Sequence, residues 1–566
     1  MKIITLHVDY INFKPLKKAM RNVAELSESE KKGGSIKESL VVLTAVEKGD
    51  SVGESVNELV KVVKDVVKQV NVKEVVLYPY AHLSSNLASP DVAVSVLDEA
   101  EKRLKKDFRV SKAPFGYYKE FELKVKGHPL SELSREIVVK SNDSKEEKVD
   151  HKSLLRSLGK NILDRSKLKE NDHRILGQEM DLFSFNDVAP GMAFWHNNGL
   201  IVYNELVKFV REELRKREYK EIRTPEILDK KLWQISGHWE KYKENIFLSD
   251  YEGREFASKP MNCPGGLIVF RNQPKSYKDL PLRVSEFGIV HRQELSGVLA
   301  GLFRVVEFTQ DDAHVFCTEE QMEAEVLKIM ELTDSIYKKF GFSYNVELST
   351  RPEKRIGDDK IWDKAEKALE SVLKKNKVKY KINKGDGAFY GPKIDFHLKD
   401  SLGRSWQLGT VQLDFSMPER FGLEYTEKDN KKKTPVMIHR AILGSFERFI
   451  GVLLEHTRGR LPTWLAPVQV RVLSFTDRNE EYAKKVVKEL SKEIPELRID
   501  SDFRGTTVPS KVKDAELMKV PYIVVVGDKE EKSKGIAVRT RGDKKIKNVK
   551  VDSFVKSLKK EIEERE

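Results

Sequence analysis

The chain has 566 residues, which is too long for a single hydrophobic core, so we expect three or four domains. Hydrophobic residues make up 39% of it and aromatic residues 9%, which is typical of a globular protein and excludes a disordered or fibrous chain. The net charge of +13 favours an anionic partner, nucleic acid before membrane. Composition alone equally fits the Lys/Glu-rich surface of a protein from a hot-growing or AT-rich organism.

The compartment follows from what the sequence lacks. No apolar run approaches the roughly 18 residues that cross a bilayer, and the N-terminus has no signal-peptide layout. The two cysteines, Cys263 and Cys317, give no disulfide framework, so we expect a reducing cytoplasm and no membrane partner.

The first 135 or so residues mix short apolar strands with amphipathic helices. Strands are predicted over residues 2–8, 40–46 and 74–78, and a helix in the segment VGESVNELVKVVKDVVKQV. Residues 136–170 are charged and weakly periodic, which favours a helical linker. A mixed α/β domain followed by a linker is therefore expected.

The rest of the chain divides near its end. It is rich in Gly, Pro and aromatic residues up to the segment RLPTWLAP, where Pro462 and Pro467 bracket a domain boundary. The last 100 residues alternate strands and helices, in VQVRVLSF, EEYAKKVVKELSKEI, ELRIDSDF, VPYIVVVG and GIAVRTR. This alternation predicts a small α/β domain with a mostly parallel sheet.

One predicted strand, RVVEFTQDDAHVF, carries unusual chemistry on one face. Its alternate residues from 304 to 316 include an aromatic ring, an amide, a carboxylate and an imidazole, neither a buried nor a solvated pattern. The strand before it ends at Arg292, and the loop QELSGVLAGLF leads to Arg304. Two guanidinium groups at one end of an antiparallel pair suit phosphate or carboxylate binding.

His314 on this strand has two candidate partners for metal binding. Cys263 lies in the segment KPMNCPGG, and His439 lies in PVMIHRAILGS. One Cys and two His would bind zinc and leave a fourth position open, as catalytic zinc sites do. The same residues also fit ordinary structural roles, because isolated His and Cys residues are mostly structural.

Several long segments give a resemblance to a known family. They are RVSEFGIVHRQELSGVLAGLFRVVEFTQDDAHVF, MIHRAILGSFERFIGVLLE, YNELVKFVREELRKREYKEIRTPEI, GAFYGPKIDF and WQLGTVQLDFS. Along the chain these segments follow one another in the family order, and they resemble the class II signatures and further motifs of archaeal-type threonyl-tRNA synthetases, over residues 175–566. The first class II signature corresponds to YNELVKFVREELRKREYKEIRTPEI, a helix running into a strand that ends at Pro225, and it implies a homodimer.

The resemblance implies roles for the residues of the unusual face. Arg292 would bind the α-phosphate and the amino-acid carboxylate, Arg448 the other end of ATP, and His238 would help deprotonate the terminal ribose hydroxyl. Asp312 and Tyr390 would bind the substrate ammonium. The remaining ATP-binding and polar lining residues would be Arg304, Phe308, Gln310, Lys393, Gln407 and Gln412, and Lys393 and Gln412 are included among the catalytic residues.

The resemblance also implies two metal ions. Cys263, His314 and His439 match the zinc ligands of the family, and Mg²⁺ would accompany ATP. Zinc can take the amino group and the hydroxyl of threonine together. Sites that require a hydroxyl reject its absence by factors of roughly 10⁴ or more, so valine is excluded, whereas serine lacks only a methyl group worth about 1–3 kcal/mol. A proofreading step is therefore expected.

The N-terminal domain resembles that proofreading step. The segments YPYAHLSSNLASP and APFGYYKEFELKVKGHPLSELSREI resemble the archaeal threonyl editing domain, which is similar in fold to D-aminoacyl-tRNA deacylase. His82, Tyr118, Lys119 and Glu132 match its site positions. A Lys and a His near an ester carbonyl could stabilise oxyanion charge and orient water. The alternative is a domain that only binds tRNA.

The C-terminal domain resembles the class IIa anticodon-binding module. Glu530 and Arg539 match candidate anticodon contacts, whereas the segment DFRGTTVPSKVKDAEL departs from the family pattern. The expected architecture is multidomain α+β and α/β. It has an editing domain (1–137), a linker (138–174), a class II antiparallel-sheet core (175–465) and an α/β anticodon-binding domain (466–566).

The predicted function is ligation of L-threonine to tRNA(Thr) with ATP, together with hydrolysis of seryl-tRNA(Thr). Three alternatives share parts of this pattern: a prolyl- or seryl-tRNA ligase, a paralogue that retains only editing, and a non-enzymatic RNA-binding or regulatory protein of the same fold. The Cys/His/His set with TQDDAH favours threonine. Arg292, Arg448 and Asp312 favour an enzyme with synthetic activity.

Overall fold

The computed structural model describes residues 1–20, 25–84, 86–137, 155, 163–166, 168–543 and 545–565. It divides into two compact units, residues 1–150 and 151–566. Most of the helical linker predicted over 136–170 lies outside the described residues. In the part that is described, no helix combines the length and the apolar composition that a membrane span requires.

The first unit is one sheet covered by two long helices. Its strands are β1 (Lys2–Lys18), β2 (Gly34–Ala45), β3 (Glu74–Pro79), β4 (Arg109–Lys112), β5 (Tyr117–Val125) and β6 (Glu132–Glu136). Its helices are α1 (Glu28–Lys31), α2 (Glu54–Val70) and α3 (Pro90–Leu104). The strand order is β4-β3-β2-β1-β5, and β6 also pairs with β1.

The apolar residues of α2 recur on one helical face and pack on the sheet. Val56, Leu59 and Val63 are fully buried against Leu40 and Val42 of β2. The three predicted strands of this unit are confirmed. The first runs on to Lys18, because its second half also pairs with β5.

The second unit begins with a large mixed α/β region that precedes the C-terminal sheet. Its strands are β7 (Phe183–Ser184), β8 (Phe194–Trp195), β9 (Lys220–Glu221), β10 (Ile227–Asp229), β11 (Leu248–Tyr251), β12 (Arg254–Ser258), β13 (Lys275–Ser276), β14 (Leu282–His291), β15 (Glu307–Cys317), β16 (Ser343–Ser349), β17 (Tyr380–Asn383), β18 (Lys393–Lys399), β19 (Ser405–Asp414), β20 (Tyr425–Thr426), β21 (Lys432–Lys433) and β22 (Val436–Ala441). Its helices are α4 (His173–Glu179), α5 (Asn197–Arg215), α6 (Lys230–Ser236), α7 (His238–Tyr242), α8 (Cys263–Arg271), α9 (Met322–Lys339), α10 (Asp359–Lys375), α11 (Ser416–Arg420) and α12 (Phe446–Thr457).

The centre of this unit is an eight-stranded sheet in the order β17-β16-β18-β19-β22-β15-β14-β9. Its six inner strands are antiparallel to one another, and the two edge strands, β17 and β9, pair in parallel with β16 and β14. Alternate residues of β15 point to opposite faces. Val315 and Cys317 enter the main core with α5, α9 and α12, whereas Phe316 packs against Cys263 on the other face.

The C-terminal part adds a five-stranded sheet. Its strands are β23 (Val470–Ser474), β24 (Ile499–Asp502), β25 (Tyr522–Val526), β26 (Gly535–Thr540) and β27 (Ile546–Lys550), and its helices are α13 (Glu480–Glu493), α14 (Val508–Leu517), α15 (Asp528–Ser533) and α16 (Val551–Glu564). The prediction of a mostly parallel sheet was wrong. Two pairings are parallel and two are antiparallel, because β26 and β27 form hairpins after β25.

Three boundaries differ from the prediction. The strand expected from Arg304 begins at Glu307. The strand expected to end at Pro225 consists of two residues, β9, because the backbone amide of Thr224 donates to the Glu286 carboxylate rather than to a neighbouring strand. The predicted boundary at 174/175 falls inside α4, which begins at His173.

Candidate active site

The register of the large sheet sets four polar side chains in one row. His314 of β15 lies opposite Val284 of β14 and His439 of β22. His439 lies opposite Gln412 of β19, which lies opposite Lys393 of β18. Directly paired residues of antiparallel strands point to the same face. Three strand pairings therefore bring together residues that are up to 125 positions apart in the sequence.

One end of this row is a cluster with the donor atoms of a metal site. Cys263, at the start of α8, meets His314 and His439, and one ligand atom of each lies within 4.8 Å of the others. All three residues are buried. His314 Nε2 has no hydrogen-bond partner among the described residues, and His439 Nε2 lies 2.9 Å from Asp414 Oδ2. A carboxylate behind a His ligand fixes the tautomer that binds metal, so this set fits zinc.

Burial sets the protonation of the cluster in the absence of a cation. It raises the pKa of the Cys263 thiol and lowers the pKa of His314. Both imidazole and thiol are thus held neutral. A bound divalent cation reverses this preference for the thiol, because its charge stabilises the thiolate.

Two further polar residues border the cluster. The ring of Tyr390 packs on the His439 ring with centroids 4.9 Å apart, and its hydroxyl donates to Gln412 Oε1 at 2.5 Å. Asp312 Oδ1 lies 3.8 Å from His314 Nε2. Burial raises the pKa of Asp312, and His439 opposes this effect. A ligand ammonium beside Asp312 would restore its charge.

The two arginines at the ends of the β14–β15 loop differ in environment. Arg292 Nε donates to the Pro260 carbonyl at 3.1 Å, and its guanidinium lies 5.0 Å from the Phe308 ring centroid. Arg304 is exposed, and its Nε donates to Glu294 Oε2 at 3.0 Å. Arg292 is therefore held in place, whereas Arg304 is exposed and, in the part of the chain that the structure describes, pairs with the Glu294 carboxylate alone.

Arg448 is the third arginine of the site. It lies in the first turn of α12, where its backbone amide donates to the capping Ser445 Oγ at 3.1 Å. In the described part of the chain its buried Nε has no partner, and its guanidinium lies 5.9 Å from the Trp406 ring. Burial lowers the pKa of Arg448, and the charge of Arg304 adds to this. A partly buried guanidinium whose Nε lacks a partner suits an anionic ligand, because such a ligand would satisfy the donor and compensate the charge.

Three of the predicted polar lining residues are Gln407, Lys393 and Gln310. The first two contact the Asp395 carboxylate, and the third pairs with a glycine across the sheet. Gln407 Nε2 donates to Asp395 Oδ1 at 2.8 Å, and Lys393 Nζ lies 3.0 Å from Asp395 Oδ2. Gln310 lies opposite Gly288 in the register. Lys393 and Gln407 are therefore oriented by one buried carboxylate.

His238 is placed more deeply than its predicted role suggests. Its side chain is fully buried, Nδ1 lies 2.8 Å from Ser236 Oγ, and the ring packs edge-on against Trp233 and Phe389. Burial lowers its pKa to about 3. The imidazole is therefore neutral at physiological pH, the form that accepts a proton.

The sequence interpretation missed two residues of this site. Asp414 fixes His439, and it could have been found by alternation, because it lies two positions after Gln412 on the same face of β19. The side chain of Asn262 packs directly on the backbone of β14 at Gly288. A Cβ atom at position 288 would lie 2.0 Å from Asn262 Oδ1, so only glycine leaves room for this contact. No periodicity signals that contact, which joins a loop residue to a strand glycine.

A second candidate site lies in the first unit. A cavity of about 520 Å³ is lined by His82, Tyr118 and Lys119 together with mostly apolar side chains. Lys119 Nζ donates to the carbonyls of Pro114 at 2.9 Å and Tyr117 at 3.0 Å, and burial lowers its pKa to about 8. His82 and Tyr118 are exposed at the rim.

The structure does not bring Glu132 to this cavity. Glu132 pairs with Leu6 of β1, whereas Lys119 pairs with Pro15 of the same strand. Nine residues of strand separate the two positions, about 30 Å at full extension. Glu132 is exposed.

The two candidate anticodon contacts lie in the C-terminal sheet and its helices. Glu530 of α15 accepts from the backbone amide of Gly527 at 3.0 Å, which caps the helix. Arg539 of β26 forms an ion pair with Glu516 of α14. The divergent segment that begins at 502 forms α14, residues 508–517.

The antiparallel sheet, its arginines and the flanking α/β domain define the chain as a class II aminoacyl-tRNA synthetase. Residues 242–457 match the family model described as tRNA synthetase class II core domain (G, H, P, S and T). Residues 469–561 match an anticodon binding domain, and residues 1–137 match the archaea-specific editing domain of threonyl-tRNA synthetase.

Solved structures and curated relatives agree on the family. The RNA binding domain of threonyl-tRNA synthetase from Cryptosporidium parvum Iowa II is 44% identical, with 69% of this chain and 98% of that chain covered and a TM-score of 0.67. A putative threonyl-tRNA synthetase from Aeropyrum pernix is 30% identical, with 69% and 96% covered and a TM-score of 0.61. The chain belongs to the threonyl-tRNA synthetase family, as predicted.

A curated relative, the threonine–tRNA ligase of Caldanaerobacter subterraneus, is 52% identical over 394 residues. The match covers 70% of this chain and 61% of the relative. The chain thus spans about three fifths of the length of this relative.

Proposed function

We propose that the chain is a threonine–tRNA ligase. It activates L-threonine with ATP, transfers it to the 3′ end of tRNA(Thr), and hydrolyses seryl-tRNA(Thr) in its N-terminal domain. The observation that carries the proposal is the buried Cys263, His314 and His439 cluster on the face of a class II sheet. The proposed domain limits are 1–137 for editing, 138–174 for the linker, 175–465 for the core and 466–566 for anticodon binding.

The metal proposed for the cluster is zinc, held by these three side chains. Bound zinc would act as a Lewis acid that recognises the amino group and the hydroxyl of threonine together. Asp312 supports this proposal, because its partly buried carboxylate lies beside the cluster and would pair with the substrate ammonium. Tyr390, fixed by its hydrogen bond to Gln412, would close the other side of the substrate.

The arginines account for the activation step. Arg292 would bind the α-phosphate while the carboxylate of threonine attacks it and pyrophosphate leaves. Arg448 would bind the far end of ATP, which would supply an acceptor for the Nε that has no partner among the described residues. Phe308 would stack on adenine, with Arg304, Gln310 and Gln407 around the nucleotide and Mg²⁺ bound to its phosphates.

In the transfer step the terminal ribose hydroxyl of tRNA attacks the threonyl carbonyl and AMP leaves. His238 is neutral and its buried Nε2 has no partner among the described residues, so it would help the deprotonation as a hydrogen-bond acceptor for the ribose rather than take up a full proton at its low pKa. Lys393 and Gln412, in the same row as the cluster, would stabilise the charge that develops on the reacting groups.

Proofreading would use the cavity of the first unit. The ammonium of Lys119 is held by two carbonyls at the cavity wall, where it can stabilise the oxyanion of an ester under attack. His82 would orient the water, and Tyr118 would contact the terminal ribose. Glu132 lies on β6 opposite Leu6 of β1, away from the cavity, so any role of Glu132 would involve a different part of the bound tRNA.

The proposal extends to partners and location. The first class II signature, which runs from helix α5 to Pro225, would form a homodimer interface. Glu530 and Arg539 would contact the anticodon of tRNA(Thr). The expected location is the cytoplasm.

The test is amino-acid-dependent ATP–pyrophosphate exchange on purified protein of measured zinc content. We expect exchange with threonine, weaker exchange with serine, and none with valine or proline. Absence of threonine-dependent exchange in zinc-loaded protein would contradict the proposal. An enzyme that still hydrolysed seryl-tRNA(Thr) would then be an editing-only paralogue.

A further inference from the structure

Helix α4 begins with a buried histidine to which the mechanism above gives no role. The side chain of His173 is 1% exposed. Its Nδ1 lies 2.7 Å from Glu455 Oε1, and its Nε2 accepts the backbone N–H of Leu302 at 3.0 Å. Leu302 belongs to the loop between β14 and β15, and Glu455 belongs to α12, the helix that carries Arg448. One imidazole therefore joins two elements of the ATP site.

These hydrogen bonds define the tautomer of His173. The Leu302 N–H can only donate, so Nε2 is the acceptor and Nδ1 carries the proton that is donated to Glu455. The backbone amide of His173 donates to the same carboxylate oxygen at 3.0 Å. Asp172, His173 and Glu455 lie close enough to hold a metal ion. Both ring nitrogens are already used, however, so the set has no imidazole lone pair for a cation.

The loop is shaped to receive this ring. Gly301 has a φ of +54°, and a Cβ atom there would lie 2.3 Å from His173 Nε2. The Phe303 ring packs on the His173 ring with centroids 4.1 Å apart. A Cβ atom at Gly451 of α12 would lie 3.2 Å from Leu302 and Phe303, so the loop also lies directly on that helix.

The contact leads on to the arginine of α12. Phe303 packs on Trp406 with centroids 4.4 Å apart, and Trp406 lies under the Arg448 guanidinium at 5.9 Å. Arg304, at the end of the loop, follows Phe303 directly. The same short segment thus sets the position of one arginine and supports the other.

We propose that His173 is a positioning residue for ATP. It holds the 301–303 turn on α12, so that Arg304 and Arg448 bind one nucleotide from fixed positions. The inference rests on the proposed function, because ATP is the ligand that the two arginines share. His173 itself does not touch the substrate. Its contribution depends on the Nε2 contact with the loop rather than on the Nδ1 contact with Glu455.

Two substitutions separate those contacts. His173→Gln places an acceptor near the position of Nε2, whereas His173→Asn places a donor near the position of Nδ1 and leaves the Leu302 N–H unpaired. The measurements are the KM for ATP and the kcat of threonine-dependent ATP–pyrophosphate exchange, with the thermal unfolding midpoint of each variant. Loss of one hydrogen bond to a positioned group corresponds to about a 10-fold effect.

We expect His173→Asn to raise the KM for ATP about 10-fold, and His173→Gln to stay within about 3-fold of the parent. Phe183→Leu is the matched control, because that ring packs beside His173 at 6.4 Å. It should lower the unfolding midpoint with no change in the KM for ATP. An unchanged KM in His173→Asn, or equal KM changes in all three variants, would overturn the inference. Failure of the parent protein to exchange would instead overturn the proposed function.

Discussion

The two candidate sites of this protein are built in opposite ways. The synthetic site lies on an open sheet face, where the strand register sets His314, His439, Gln412 and Lys393 in one row. The proposed editing site is a cavity with mainly apolar walls and one half-buried amine, that of Lys119. Under the proposed function, the first would bind a metal ion and two charged substrates, and the second would hold the 3′ end of a mischarged tRNA. The two sites therefore differ in the chemistry that they offer to a substrate: metal-ligand and charged groups in one, an apolar cavity with a single amine in the other.

Loss of the metal cluster should have the largest effect. Cys263→Ala removes the only thiolate of the set, so we expect zinc loss and a decrease of about 10³-fold or more in threonine-dependent exchange. Zinc content and exchange rate are measured together. Cys317→Ala is the matched control, because Cys317 is equally buried on the opposite face of the sheet. Equal zinc loss in both variants would contradict the assignment.

Loss of the half-buried amine of Lys119 should affect only the first unit. Lys119→Met keeps the length of the side chain and removes its charge, so we expect hydrolysis of seryl-tRNA(Thr) to fall about 100-fold with unchanged threonine exchange. Lys112→Met is the control, because Lys112 lies on β4 of the same sheet and pairs with Glu101 at 3.0 Å. Equal losses in the two variants would mean that charge near the sheet, rather than this amine, matters.

The carboxylate behind His439 should have a smaller effect than the ligands. Asp414→Asn keeps an acceptor for the imidazole but removes the negative charge, so zinc affinity should fall about 10- to 100-fold. Competition with a zinc chelator measures this affinity. Unchanged affinity would show that the contact at 2.9 Å does not orient the ligand.

The pH profile should give the smallest change. Because the pKa of Lys119 is about 8 in the folded protein, its ammonium is present below pH 8 and is lost above it. Hydrolysis of seryl-tRNA(Thr) should therefore level off below pH 8 and decline several-fold by pH 9. A profile that rises through this range would identify Lys119 as a base instead.

The sheet face could be predicted because β-strand alternation places chemically matched residues on one side. Phe308, Gln310, Asp312 and His314 follow from that rule alone. Cys263 and His439 were identified as candidates by their chemistry, and the family resemblance made them a set. Their proximity depends on long-range pairings that no local pattern contains.

The cavity could be predicted less well. Glu132 was grouped with Lys119 because the two lie 13 positions apart in one matched segment, yet β5 and β6 pair with different halves of β1.

Two features of the second unit were also beyond local patterns. The packing of Asn262 on Gly288 depends on a contact between a loop and a strand that are distant in the sequence. The sheet of the C-terminal domain was predicted as mostly parallel because strand and helix alternate at first, and the final hairpins change that pattern.

The most direct test of the account is a spectroscopic titration of the metal cluster. Protein loaded with Co²⁺ in place of zinc would be mixed with threonine, serine and valine, and its visible absorption recorded. The account predicts a change in the Co²⁺ spectrum with threonine and serine, whose hydroxyl can become a ligand, and none with valine. An identical response to all three amino acids, or no response to threonine, would contradict recognition of the substrate at the Cys263, His314 and His439 cluster.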